Sequence, residues 1–185
     1  MPASALVVID VQESFRHRPY WNEAALPALR DRLLALIGGC RALGVPIVHI
    51  LHEDGDEAFS PRSGLVRPMD WLPAGPDATF VKHVHNAFTD TGLDRWLRTR
   101  GIDHLIVSGI RTEQCCETTA RVASDLGYRV DFVSEATLTF DMTHPGTGRV
   151  LTATDLVERT ETVLAGRFAT VSTIDEVLAS LAPGN

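Results

Sequence analysis

Cysteine is scarce in this chain. There are three in 185 residues, Cys40, Cys115 and Cys116, and two of them are neighbours. An odd count with one adjacent pair rules out a disulfide framework and fits a reducing compartment. No CxxC spacing exists, so thiol–disulfide exchange is a poor match. Positive charge is the second shortage: 17 Lys and Arg face 24 Asp and Glu, for a net charge of −7. Without a Lys/Arg cluster the chain would repel a phosphate backbone, which argues against nucleic acid as a partner. Long apolar runs are missing as well. The run from Ala5 to Ile9 stops at Asp10, and Met1-Pro2-Ala3-Ser4 before it carries no basic residue. That is too short for a membrane span or a signal peptide, so the expectation is a cytoplasmic protein with no membrane contact.

What is present suits a folded enzyme-sized domain. With 44% hydrophobic and 22% charged residues, the chain can bury a core and stay dissolved. One domain over residues 1–185 is expected, hiding roughly 70% of its unfolded surface. Short β-branched runs alternate with amphipathic stretches. Leu6–Ile9, Val45–Leu51, Thr79–Lys82, His104–Ser108, Arg129–Val133 and Ala169–Val171 read as strands, nearly continuous in apolar character, as strands covered on both faces are. Helices fit about Ala24–Leu43, with Asn22 as cap, Pro27 in the first turn and Gly44 as the stop, then Leu93–Arg100, Glu117–Leu126, Asp155–Ala165 and Ile174–Leu181. This alternation predicts an α/β fold of three layers, α/β/α, around a mostly parallel sheet. Two stretches lack a pattern. His52–Ala78 is long enough to be a lid, a binding loop or an oligomer contact, and Glu135–Thr152 follows the fifth strand.

In open parallel sheets, ligands bind beyond the carboxyl ends of the strands. The reactive side chains at those ends are Asp10 after the first strand, Lys82 at the end of the third, and Cys115 shortly after the fourth. A carboxylate, an ammonium and a thiol form a chemically complete set. A thiol attacks a carbonyl only as thiolate, which a helix N-terminus and a neighbouring Lys82 would favour. Asp10 would take the thiol proton and return it to a leaving amine. Each residue also has an ordinary explanation as a turn carboxylate, a solvated lysine or a small core cysteine. Their joint placement is what sets them apart.

The local sequences around them resemble one family. Val7-Val8-Ile9-Asp10-Val11-Gln12 resembles the opening strand of the isochorismatase-like cysteine hydrolases. Phe80-Val81-Lys82 with Asn86-Ala87-Phe88 is similar to that family's lysine strand and following turn. Gly109-Ile110-Arg111-Thr112-Glu113-Gln114-Cys115-Cys116-Glu117-Thr118-Thr119-Ala120, running on to Asp125-Leu126-Gly127-Tyr128, is similar to its nucleophile block. The resemblance covers nearly the whole chain in order. It implies a six-stranded parallel sheet in order 3-2-1-4-5-6 and a catalytic triad of Cys115, Asp10 and Lys82. It also implies a cis peptide between Ile110 and Arg111, and an oxyanion hole from the backbone N–H groups of Arg111 and Cys115. The implied activity is hydrolysis of a C–N bond in a small amide, imide or urea-type substrate through a thioester on Cys115.

Cys116 shares a helical stripe with Ala120, Ala123 and Gly127 and reads as core, as does Cys40. Seven histidines invite a metal reading. His83 and His85 would share one face of an extended segment, near His52, Asp54 and Asp56. The Asp-x-His pattern of the family's nicotinamidase branch is not matched by His49-Ile50-Leu51-His52-Glu53-Asp54-Gly55-Asp56. The expectation is therefore no metal and no cofactor, and nicotinamide loses ground as substrate. Phe15, Tyr20, Trp21, His52, Phe88, Phe140 and His144 are the candidates for pocket walls, with loop anchoring as the alternative for Phe15 and Trp21. Arg111 could bind a substrate carboxylate or pair with an acid. Two other functions remain: vinyl ether hydrolysis of the isochorismate type, which needs Asp10 but leaves the thiol unused, and non-catalytic ligand binding by a homo-oligomer. A homo-oligomer acting on a small-molecule substrate is the expected form.

Overall fold

The computed structural model describes residues 3–55 and 57–182; Asp56, named above beside the possible metal ligands, lies outside them. The chain forms β1 (Ala3–Ile9), α1 (Leu26–Ala42), β2 (Ile47–His52), β3 (Ala78–Lys82), α2 (Leu93–Arg98), β4 (Ile102–Ile110), α3 (Glu117–Asp125), β5 (Arg129–Leu138), β6 (Met142–Thr143), β7 (Val150–Leu151), α4 (Ala153–Leu164), β8 (Thr170–Val171) and α5 (Ile174–Leu181). Six strands make one sheet in the order β3-β2-β1-β4-β5-β8, all neighbours parallel. This is the expected 3-2-1-4-5-6 order. Its sixth strand is β8 because the small antiparallel hairpin β6–β7 is inserted after β5.

Both faces of the sheet are covered, which is why its strands read as continuous apolar runs. Ala5, Val7 and Ile9 of β1 join a core with Leu93 and Leu97 of α2, Ala120 and Ala123 of α3 and Leu164 of α4. Leu6 and Val8 face the opposite core, built with Leu29, Leu33, Leu36 and Ile37 of α1 and Val177 of α5. The first helix begins later than expected. Asn22 caps a short 3₁₀ turn at Glu23–Ala25 by accepting the Ala24 N–H at 3.0 Å, and the α-helix starts at Leu26 with Pro27 in its first turn. Gly44 ends it in the left-handed region, at φ +71°.

The stretch between β2 and β3 has no regular pattern, yet it is fastened. Phe59, Met69 and Leu72 insert into the α1-side core, each burial contributing roughly 1.5–3 kcal/mol. Its backbone is pinned to the segment after β1 through Glu13 N–H to Arg67 O, Ser14 N–H to Leu65 O and Met69 N–H to Val11 O, at 3.0–3.1 Å. The loop thus forms a wall beside the carboxyl end of β1 rather than a free flap.

Candidate active site

Three strand tips converge at the carboxyl edge of the sheet. Asp10 follows β1 and turns sharply, with φ +52°, a conformation that an Asp tolerates at a cost of about 1 kcal/mol or more. Lys82 ends β3. Beyond β4 the chain passes a cis peptide bond between Ile110 and Arg111 and enters a wide turn at Thr112–Cys116 that leads into α3. In that turn the Cys116 N–H reaches back to Arg111 O at 3.2 Å. Gly109 makes the close approach of β4 to β1 possible: its φ is +124°, and a Cβ there would lie 2.0 Å from Ile9 O. No other residue fits.

The result is a compact charge cluster. Lys82 Nζ lies 2.8 Å from Asp10 Oδ2 and 3.3 Å from Cys115 Sγ, and both charged side chains are fully buried. Cys115 is 6% exposed. The Asp10–Lys82 contact is an ion pair by distance rather than an aligned hydrogen bond, so neither Asp10 oxygen has its bonding capacity filled. Burial works against the charge on Lys82, but Asp10 and then Cys115 outweigh it and hold the ammonium above its usual pKa. For Cys115 the balance falls the other way. Burial, reinforced by the charge of Asp10, pushes the thiol well above its usual range, and Lys82 only partly offsets this. This differs from the expectation that Lys82 and the helix would favour a standing thiolate. The resting form is the thiol, because desolvating a sulfur anion next to a carboxylate costs more than one ammonium returns.

Lys82 has a further neighbour. His52, at the end of β2, is its direct register partner across the sheet, and His52 Nδ1 lies 3.0 Å from Lys82 Nζ. Gln12 holds that strand end in place, accepting the His52 N–H at 2.7 Å and donating to His52 O at 2.9 Å. His52 was expected as a pocket wall; it sits against the lysine itself.

The remaining predicted residues divide into groups. Arg111 is buried, with its guanidinium 3.0 Å from the Glu113 carboxylate and 4.7 Å from the centre of the Tyr20 ring. It is thus already paired, and with an interior acid. Phe140 packs 5.3 Å from both Tyr20 and Trp21, and its ring and that of Tyr20 flank the arginine. Phe15 meets Phe59 edge-on in the α1-side core, and Phe88 stacks on Tyr128 in the other core; both are packing residues. His144 is exposed and accepts the Gly146 and Thr147 N–H groups of its own hairpin loop. It lines a cavity of about 350 Å³ with Glu113 and Leu156, apart from Asp10, Lys82 and Cys115. Cys116 is fully buried beside Ala120 and Ala123, and Cys40 lies in the α1-side core, where burial lifts its thiol to about 12.

Gln12, Asp54 and Glu113 were missed as structural partners of the site. Only the Asp-x-Gln pattern after β1 hinted at the first. Among the described residues, no three His, Cys, Asp or Glu side chains converge to hold a metal ion. His83 pairs with Glu53 at 3.5 Å, and the His85 ring is 6.5 Å from that of His52. No helix among the described residues is long and apolar enough to cross a membrane.

Comparison with known proteins bears on the family and the fold. A family model described as the isochorismatase domain matches residues 4–175. Nicotinamidase 3 of Arabidopsis thaliana is 32% identical over 154 residues, covering 75% of this chain and 74% of that protein. A streptothricin hydrolase of Streptomyces noursei is 32% identical over 180 residues, covering 94% of this chain and 60% of that enzyme. Among solved structures, a cysteine hydrolase from Pseudomonas syringae pv. phaseolicola superposes with a TM-score of 0.87 at 26% identity, over 96% of this chain and 92% of that one.

Proposed function

Because the chain belongs to the isochorismatase family of hydrolases, we propose that it hydrolyses a small amide, imide or urea-type C–N bond through a thioester on Cys115. The observation that carries this reading is the buried Lys82 ammonium held between a carboxylate at 2.8 Å and a thiol at 3.3 Å. Relatives named as a nicotinamidase and a streptothricin hydrolase support the choice of a C–N bond.

A resting thiol sets the order of events. As Sγ attacks the substrate carbonyl, its proton passes to Asp10, whose under-used oxygens can accept it. Lys82 stays protonated and stabilises the sulfur anion as it forms. The oxyanion is received by the backbone N–H groups of Arg111 and Cys115. When the C–N bond breaks, Asp10 returns the proton to the amine and the acyl group stays on sulfur as a thioester. A water then loses a proton to Asp10 as its oxygen attacks the thioester. The C–S bond breaks, Asp10 gives the proton to the departing sulfur, and the acid leaves.

The test is a panel of small amides, ureas and imides assayed for ammonia or amine release with wild-type and Cys115→Ala protein. Turnover that vanishes with the thiol supports the reading. A substrate hydrolysed equally well by Cys115→Ala contradicts it.

A further inference from the structure

An ammonium has three protons to donate and no lone pair to accept with. When it is fully buried, each proton needs a partner, since an orphaned donor there is costly. Lys82 is fully buried, and its partners are Asp10 at 2.8 Å, Cys115 at 3.3 Å and His52 at 3.0 Å. Two of them belong to the proposed chemistry. The third has no part in it so far.

We propose that His52, lying between the Lys82 ammonium and Asp54, is a positioning residue that in its neutral form fixes that ammonium and sets the acid limit of catalysis. This rests on the reading of Cys115, Asp10 and Lys82 as the triad. The hydrogen-bond order follows from donor and acceptor rules. Since Lys82 donates, His52 Nδ1 accepts, so the imidazole proton sits on Nε2, which faces Asp54 Oδ2 at 3.4 Å. The Asp54 side chain is 36% exposed, so the row Asp54–His52–Lys82 runs from solvent to the buried ammonium. Protonating His52 on Nδ1 would put two cations 3.0 Å apart with neither able to accept. Lys82 would then be displaced from Asp10 and Cys115.

The charged and titratable groups around His52 are known on each side. Lys82 faces it from β3, Asp10 from the turn after β1, Asp54 from the loop after β2 and His85 from the loop after β3. Burial and then Lys82 lower its pKa from the usual imidazole value, while Asp10 and Asp54 act in the opposite sense. The neutral, working form therefore persists below the pH at which a free imidazole would charge.

Two-bond ¹H–¹⁵N imidazole spectra of the full chain, recorded across pH, read the His52 tautomer and pKa without any substrate. The expected result is a proton on Nε2 and a pKa below the usual histidine range, moving up in Lys82→Met and down in Asp54→Asn. A proton on Nδ1, or a pKa unmoved by Lys82→Met, would overturn the proposal. Kinetics on the fastest amide of the panel give the second readout. His52→Leu should lower kcat/KM by roughly 10- to 100-fold, the usual effect of losing a group that orients another. His52→Gln, which keeps an acceptor but cannot titrate, should recover most of that and move the acid limb of the pH profile to lower pH. An unchanged acid limb in His52→Gln would refute the role of His52 while leaving the triad intact. Full turnover by Cys115→Ala would instead sink the triad reading, so the two failures are separable.

Discussion

Two polar clusters sit at opposite ends of the same sheet, and they differ in one respect that decides their roles. At the amino end, Ser4 Oγ lies 2.8 Å from His104 Nδ1, and His104 Nε2 lies 2.9 Å from Asp131 Oδ2. By residue type and order this is a serine–histidine–aspartate relay, and it borders a cavity of about 620 Å³. However, both Asp131 oxygens have a partner: the other one accepts the Ser172 hydroxyl at 3.0 Å. At the carboxyl end the Asp10 oxygens lack aligned donors, and Asp10 faces a fully buried lysine and a thiol. A satisfied network ties strands together. An under-satisfied carboxylate beside a thiol can take its proton. The same contrast separates the three cysteines. Cys40 and Cys116 pack fully buried in the two cores, whereas Cys115 touches an ammonium.

Breaking each end in turn gives the sharpest form of that contrast. Cys115→Ala and Asp10→Asn should each cut amide turnover by about a thousandfold or more, measured as ammonia release, while Ser4→Ala and His104→Phe stay within about twofold. Residual hydrolysis by Cys115→Ala that disappears on adding Ser4→Ala would reverse the assignment of the two ends. Gly109→Ala should follow in severity. Its Cβ would meet Ile9 O at 2.0 Å, so β4 must move off β1, and a loss above about 4 kcal/mol in urea unfolding is expected.

A smaller effect comes from a third buried polar group, His49 of β2, which belongs to neither cluster. Both ring nitrogens lack a partner, and burial, helped by Arg41, lowers its pKa from 6.5 to about 4. The unfolded chain therefore takes up this proton near pH 6.5 and the folded chain only near pH 4. Stability contributed by the neutral form is complete above pH 6.5 and is lost as pH falls toward 4, by about 3 kcal/mol in total. In His49→Leu, denaturant midpoints should fall less over that window. Last comes Ser4→Ala, expected to cost about 1 kcal/mol of stability for one buried hydrogen bond. An equal drop in activity would argue that the amino end does more than join strands.

Much of this was legible in the chain itself. Continuous β-branched runs gave away a sheet covered on both faces; Asp10 and Lys82 stood out because each ends such a run, and Cys115 because it opens the helix that follows one. The partnership of His52 with Lys82 was hidden, since it depends on how β2 and β3 align across a long unpatterned loop. Glu113 was hidden for a different reason. Nothing local marks a glutamate that turns inward to meet an arginine two residues back. Phe15 and Phe88 misled because an aromatic near a strand end lines a pocket or fills a core according to which neighbours arrive from elsewhere. Phe59 and Tyr128, the residues that decided it, are 44 and 40 positions away in sequence.

The central claim is that the Cys115 sulfur becomes covalently bound to the substrate's acyl group. Rapid acid quench of wild-type protein with a slowly turned-over amide, followed by peptide mass spectrometry, tests it directly. The account predicts an acyl mass on the peptide carrying Cys115, appearing before the acid product and decaying with it. Turnover with that peptide unmodified throughout, or an adduct on Ser4, would contradict it.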